Sequence, residues 1–378
     1  MISIAVIGTG KIAQEILPVL DQMKEIEIKV LCGTRRSAET VHRLQEAYQI
    51  PYAFTDYGEF LEKLNAAPGK TKNTTSVSAL HVDAIYLAVP NQLHHSMALQ
   101  AIEAGQNVFL EKTFTPTLAK AEELISLSRQ KPAMLIEAIS NQYLPVLATI
   151  RSLLPNLGEI KYVECNFSQY SSRYDSFKAG EKIVSFDPEC YGGALMDLQV
   201  YNLHLITSLF GPPEAVTYHA NMEKGIDTSG VIRLEYSTFQ AISIAANDSD
   251  GPCHLLIQGT GGYLQLEAKA NSLEGPLTLY LHGQKSRAID TVHKVPEQAA
   301  TIASADSTAL DHATFVPHRM VPEFQALEQM IRAQDWYTCI RQQEQTLTVC
   351  RILDQALKQI PYGEANKQLN DLRKAFWS

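Results

Sequence analysis

No stretch of about eighteen consecutive apolar residues occurs anywhere in the sequence, which argues against a membrane-spanning helix. The opening run Ile2 to Ile7 is apolar, but no basic residues precede it and it passes directly into glycine, so it does not read as a secretory leader. Long basic runs are missing as well, and the formal charge is −9. A nucleic-acid binder needs clustered Lys and Arg to neutralise phosphates, so a small molecule is the expected partner and nucleic acid is not. The six cysteines, Cys32, Cys165, Cys190, Cys253, Cys339 and Cys350, show no CxxC spacing. Their scatter suggests neither a zinc site nor a disulfide framework; no metal is expected, and a reducing cytoplasmic setting is.

What is present suits an ordinary globular protein. With 378 residues, 45% of them hydrophobic, the chain exceeds the usual size of one core, and two domains sharing a cleft are expected. Ile2 to Ile7 is a short β-branched run of the kind buried on both faces of a parallel sheet, and from Lys11 apolar residues recur at helical spacing. The alternation continues with a strand over Ile26 to Cys32, a helix over Arg35 to Gln49, and a strand over Ala84 to Val89. A helix over Ser96 to Glu103 and a strand over Asn107 to Leu110 follow. This order predicts a doubly wound parallel α/β sheet. The polar stretch Ala66 to Ser78 reads as an exposed loop. Beyond Pro145 strand-like runs crowd together at Ile160 to Gln169, Ala215 to Ala220, Val231 to Tyr236, Ala241 to Ala246, His254 to Gly259 and Gly262 to Glu267. They predict a large, open, mostly antiparallel sheet, closed by helices over Val321 to Ala333 and Ile340 to Gln359. The domains are expected at 1–124, binding dinucleotide, and 125–378, binding substrate and mediating oligomerisation.

Gly8, Thr9 and Gly10, followed by Lys11, Ile12 and Ala13, fit GxGxxA between a strand and a helix. In that turn the first glycine makes the bend, the second lets backbone approach a pyrophosphate, and the helix N-terminus offers free N–H groups to it. The end of the second strand then bears on cofactor choice. An acid there would accept bonds from the ribose hydroxyls of NAD, but the residues are Gly33, Thr34, Arg35 and Arg36. A hydroxyl and guanidinium groups favour the 2′-phosphate of NADP, with NAD as the second choice. Arg35 and Arg36 also have an ordinary reading, as solvated charges at a helix start.

Further candidates lie at strand ends, where open α/β sheets place ligand chemistry. Glu111 and Lys112 follow one strand, and Ala88, Val89, Pro90, Asn91 and His94 follow another. In the second half, the pair Gly192 and Gly193 precedes a helix on which Asp197, Tyr201 and His204 stand at i, i+4 and i+7, sharing one face. Such a trio also suits a hydrogen-bonded core network. Tyr170, Arg173, Tyr174 and Lys178 cluster after a strand, either over a sugar or anionic substrate or as an exposed loop or interface.

Taken together, the Gly8 turn, Ala88-Val89-Pro90-Asn91 with His94, Glu111-Lys112, and the run from Gly192 to Tyr201 resemble the Gfo/Idh/MocA oxidoreductase family over nearly the whole chain. The resemblance implies an N-terminal Rossmann domain and a C-terminal α/β domain whose open sheet commonly forms a homodimer or higher oligomer. It implies hydride transfer between nicotinamide and a hydroxyl or carbonyl carbon of a sugar, polyol or related molecule. It also implies Lys112 near the nicotinamide and Asp197 with Tyr201 as catalytic partners, leaving His204 the lesser candidate. On that placement, the Lys112 cation is expected to lower the Tyr201 phenol pKa from about 10 towards working pH. Thr113 stands where the family has a proline after its Glu-Lys pair. The same fold also serves regulators that sense the dinucleotide without turning it over, and members that retain the cofactor and recycle it.

Overall fold

A computed structural model describes residues 1–65, 80–290 and 318–360; the loop expected at Ala66 to Ser78 lies outside them. Six parallel strands form the first sheet: β1 (Ile2–Ile7), β2 (Ile26–Cys32), β3 (Tyr52–Phe54), β4 (Ala84–Leu87), β5 (Val108–Glu111) and β6 (Leu135–Ala138). Their order is β3-β2-β1-β4-β5-β6, the Rossmann arrangement. Between them run α1 (Lys11–Leu20), α2 (Ala38–Ala47), α3 (Tyr57–Asn65), α4 (Asn91–Glu103) and α5 (Leu118–Gln130). Every residue of β1, β4, β5 and β6 is buried, which is why β1 and β4 read as apolar runs rather than alternating ones, while β5 and β6 each bury a glutamate, Glu111 and Glu137. The strand order reverses between β1 and β4, and the cleft opens at their carboxyl ends.

The chain then forms α6 (Pro145–Leu153), β7 (Ile160–Ser168), the short α7 (Tyr174–Lys178) and α8 (Val200–Phe210). The strands β8 (Ala215–Glu223), β9 (Ile226–Glu235), β10 (Gln240–Ala246), β11 (His254–Gly259), β12 (Gly262–Leu266), β13 (Leu277–Leu281) and β14 (Arg287–Ile289) follow. With β7 they make an eight-stranded sheet that is antiparallel except where β7 and β10 pair in parallel. Its inner face buries Val163, Cys165, Ile232, Leu234, Leu255 and Ile257 against α8 and the last helix among the described residues. The outer face leaves Ile242, Ile244 and Leu256 half-buried and Val231 exposed.

Two helices complete the described residues, α9 (Val321–Ala333) and α10 (Trp336–Leu357). They correct the expected division at residue 124. That position falls within α5, the crossover that carries the chain from β5 to β6, and β6 belongs to the parallel sheet. The stripe Phe324, Leu327, Met330 and Ile331 of α9 also packs into the first domain's core, with Ile2, Ile4 and Val6 of β1. Helix α10 spans both domains, burying Cys339 and Cys350 in the first and Val349, Ile352 and Leu353 in the second. No helix among the described residues is long and apolar enough to cross a membrane.

Candidate active site

The glycine turn sits where β1 and β4 end side by side. Gly8 has a φ of +119°, and a Cβ placed there would lie 2.1 Å from the carbonyl oxygen of Ala88, so the strand packing itself demands glycine. Gly10 is different: a Cβ there would meet no protein atom within 4 Å, yet the residue caps the N-terminus of α1 and lines the cleft. The protein gains no packing from its bareness, which instead leaves backbone amides open to a phosphate. A dinucleotide therefore fits this turn.

The cleft has a volume of about 780 Å³. Of the residues singled out in the sequence it brings together Gly8, Thr9, Gly10, Lys11, Ile12, Thr34, Arg35, Ala88, Pro90, Asn91, Glu111, Lys112 and Arg173. Beyond β2, Thr34 and Arg35 are exposed, and the Ser37 hydroxyl receives the Thr34 N–H at 2.9 Å, so the turn presents hydroxyls, a guanidinium and no carboxylate of its own. Ser37 lines the cleft while Arg36 does not, which shifts the expected pair of arginines to one arginine and a serine. Asp56, which also lines the cleft, is engaged by the backbone N–H groups of Gly58 and Glu59 at the start of α3.

Beside the cleft lies a smaller chamber of about 120 Å³, lined by Asn91, Lys112, Arg173, Tyr191 and Asp197, with Val184, Ser185 and Cys190 among others. Lys112 belongs to both volumes. Its ammonium donates to Asp197 Oδ1 at 2.7 Å and to the Asp197 carbonyl at 3.0 Å. It also stands 5.1 Å from the centre of the Tyr201 ring. The Asp197 side chain keeps 37% of its exposure, so the pair is not sealed away. Burial works against both charges, but each partner more than restores the other: the ammonium is held above the ordinary lysine range and the carboxyl below that of aspartate.

Asp197 lies in a π-turn over Leu195–Gln199 that leads into α8. Asp227 fixes its start by accepting the Leu195 N–H at 2.6 Å, and Gly193, at a φ of +98°, leaves room for that carboxylate. Tyr191, missed in the sequence, accepts the Asn91 side-chain N–H on its carbonyl at 3.0 Å and so ties α4 to the second domain. Its signal was its place immediately before the glycine pair.

Several expectations are corrected here. The Tyr201 phenol is pushed up to about 12 rather than down, because burial outweighs the opposing pull of Lys112 and Arg319. His94 is wholly buried and does not line the cleft; its ring nitrogens bridge the carbonyls of Thr113 and Val89, each at 2.8 Å. His204 is wholly buried against Glu137, with 3.1 Å between Nε2 and Oε2, below the site rather than in it. Tyr174 packs on Phe177 and Phe186 and donates to Glu223, while Tyr170 donates to Asp175 at the surface; neither lines the cleft or chamber. The turn carrying Lys112 has a cis Lys112–Thr113 peptide bond although residue 113 is not proline. Glu111 lies buried beneath it, accepting from the Tyr86 hydroxyl at 2.6 Å and from the Lys112 N–H at 3.2 Å.

The chain is similar to known proteins in sequence and in fold. Over 268 aligned residues the chain is 30% identical to the NADP(+)-dependent scyllo-inositol 2-dehydrogenase of Bacillus subtilis, covering 71% of this chain and 76% of the relative. It is 27% identical over 286 residues to the trans-1,2-dihydrobenzene-1,2-diol dehydrogenase of Xenopus laevis, covering 74% of this chain and 78% of that one. In fold it is similar to a 3-ketoreductase from Actinomadura kijaniata crystallised with NADP and TDP-benzene. That likeness has a TM-score of 0.73 at 17% identity and covers 94% of this chain and 97% of the other. Residues 2–138 match the oxidoreductase family with an NAD-binding Rossmann fold, and residues 149–265 match the GFO/IDH/MocA C-terminal domain. The chain belongs to the Gfo/Idh/MocA oxidoreductase family.

Proposed function

We propose that the chain is an NADP-dependent dehydrogenase or reductase acting on a hydroxyl- or carbonyl-bearing carbon of a sugar, polyol or related small molecule. The observation that carries this reading is the Lys112–Asp197 pair, held at 2.7 Å where the dinucleotide cleft meets a second, substrate-sized chamber. A protein that only senses the dinucleotide has no use for a charged pair facing that chamber. The dehydrogenase of Bacillus subtilis and the diol dehydrogenase to which the chain is similar both act on vicinal hydroxyls, in keeping with this substrate class.

The glycine turn would hold the pyrophosphate, and Thr34, Arg35 and Ser37 the 2′-phosphate. Bound there, the nicotinamide supplies or accepts the hydride. The protein's own task is one proton and one developing charge. Lys112 stabilises negative charge on the substrate oxygen, with Asp197 fixing the ammonium. Tyr201 lines neither volume but its ring lies 5.1 Å from the Lys112 ammonium, and from that position it acts as the acid when a carbonyl is reduced and as the base in the reverse direction. Arg173, which lines both volumes, contacts the substrate. The setting is cytoplasmic, and the protein is a homodimer joined through the outer face of the eight-stranded sheet, where Val231, Ile242, Ile244 and Leu256 await a partner.

The test is NADP⁺ reduction by purified protein across a panel of inositols, aldoses and trans-diols. Turnover on at least one polyhydroxylated compound, lost in Lys112→Met, is expected. Tight NADPH binding without turnover on any of them would favour the regulatory alternative.

A further inference from the structure

Thr113 touches neither the cleft nor the chamber, and its side chain is nearly wholly buried. Two hydrogen bonds of its own, and those of its neighbours Lys112 and Phe114, surround it. On the first domain's side, the Thr113 carbonyl meets His94 Nδ1 at 2.8 Å, and the next residue, Phe114, donates its N–H to Glu137 Oε1 at 3.1 Å. On the other side, the Thr113 hydroxyl donates to the carbonyl of Met196 at 2.5 Å, while Lys112 donates to the carbonyl and carboxylate of Asp197. Adjacent residues of the lysine turn thus engage adjacent carbonyls of the π-turn. Residues 112 and 113 come from the end of β5, and 196 and 197 from the segment leading into α8, so these bonds join the two halves of the charged pair across the domain boundary.

We propose that the Thr113 hydroxyl is a positioning group that sets the register between Lys112 and Asp197. The reasoning turns on which bonds remain in place during a reaction. On the proposed function, on which this inference rests, the Lys112 ammonium is shared with the substrate oxygen, so its bonds to Asp197 loosen as charge develops there. The Thr113 bond is neutral, buried and remote from the substrate, and it does not change as the lysine's partners do. A hydroxyl in that place keeps the lysine turn seated on the Asp197 segment through the cycle. A side chain without a donor would leave the Met196 carbonyl to its other partners and the seat to the ammonium alone.

Two substitutions separate this role from simple packing. Thr113→Val keeps the branched shape and loses the donor; Thr113→Ser keeps the donor. Four measurements are made on each full-length protein: kcat and KM on the substrate found in the panel, NADPH affinity by nicotinamide fluorescence, thermal stability, and the acetylation rate of Lys112 at one alkaline pH, read by peptide mass spectrometry. Asp197 raises the lysine pKa, so loosening the pair frees amine and speeds acetylation. Thr113→Val is expected to lower kcat about tenfold and raise acetylation severalfold with KM and NADPH affinity nearly unchanged, and Thr113→Ser to stay within about threefold of the parent. The proposal is overturned if acetylation in Thr113→Val matches the parent, if Thr113→Ser is as impaired as Thr113→Val, or if Thr113→Val loses NADPH affinity and thermal stability along with rate. Acetylation needs no turnover. A parent protein inactive on the whole panel therefore defeats the dehydrogenase reading, while the labelling still decides the role of Thr113.

Discussion

On the proposed mechanism, the proton on Tyr201 sets the sign of the pH response. Burial holds it up to about 12, so the phenol stays protonated through neutral and moderately alkaline pH. Carbonyl reduction, which draws on that proton, should be flat over this range, whereas alcohol oxidation, which needs the phenolate, should accelerate as pH rises. Initial rates in both directions check this, and Tyr201→Phe should abolish the slope and cost about 100-fold or more in kcat. At the other end of the cleft, Arg35→Ala should weaken NADPH binding about tenfold and leave NADH binding nearly unchanged, by fluorescence titration of both nucleotides, because on the proposed placement only the 2′-phosphate would meet the guanidinium. Residues of this kind differ in how openly the sequence declares them. Gly8 and Gly10 are legible since strand, turn and helix all surround them, and Lys112 since it follows a buried strand. His94, Tyr174 and His204 have equally suggestive side chains, but their partners are backbone carbonyls, Glu223 and Glu137, and a one-dimensional pattern does not reveal an internal partner.

At the scale of the element, spacing fails where an element departs from regular geometry. Asp197, Tyr201 and His204 align at i, i+4 and i+7 only on an unbroken α-helix, and the π-turn over Leu195–Gln199 takes more residues per revolution, rotating Asp197 relative to α8. Strand β3, of three residues, was too short to declare itself, and in β6 the charged Glu137 interrupts the apolar run, so with β6 went Glu137 and the true edge of the first sheet. The helices were read better, though α4 begins at Asn91 rather than Ser96, its first turn reaching the cleft. One inter-element tie yields a stability prediction. Glu15 on α1 accepts from Arg319 at 2.8 Å and pairs with His318 at 3.3 Å, fastening the residues before α9 to the first domain. The His318 contact, foremost, and Arg319 lower the Glu15 carboxyl from 4.5 to about 2 against the opposing effect of burial. A depressed carboxyl stabilises fully above its unfolded pKa, and the gain is lost as pH falls from 4.5 through 2. Partial exposure screens the pair, so Glu15→Gln should cost about 1 kcal/mol at neutral pH and nothing once the carboxyl is protonated. Urea melts of both proteins over an acid series test this.

For the whole molecule, the proposed dimer makes the outer sheet face a test site. Ile242 lies at the centre of that face, opposite Glu164 on one neighbouring strand and Arg233 on the other. Ile242→Glu should place a carboxylate where two copies meet and yield monomers by light scattering, with NADPH binding retained because the cleft is formed elsewhere. Division into a parallel sheet and an antiparallel one was legible because the two have different apolar patterns. Which helices return to which sheet was not, since an apolar stripe like that of α9 fits any core. That return has a consequence for synthesis. Phe324 packs edge-on against Tyr86 and Phe109, both with ring centres 5.1 Å away, and so seals part of the first domain's core. A ribosome releases the six strands of the first sheet, and then the strands of the second, before it releases Phe324. Over that interval the nascent first sheet carries an uncovered aromatic patch, and its core closes only after the second sheet has been made.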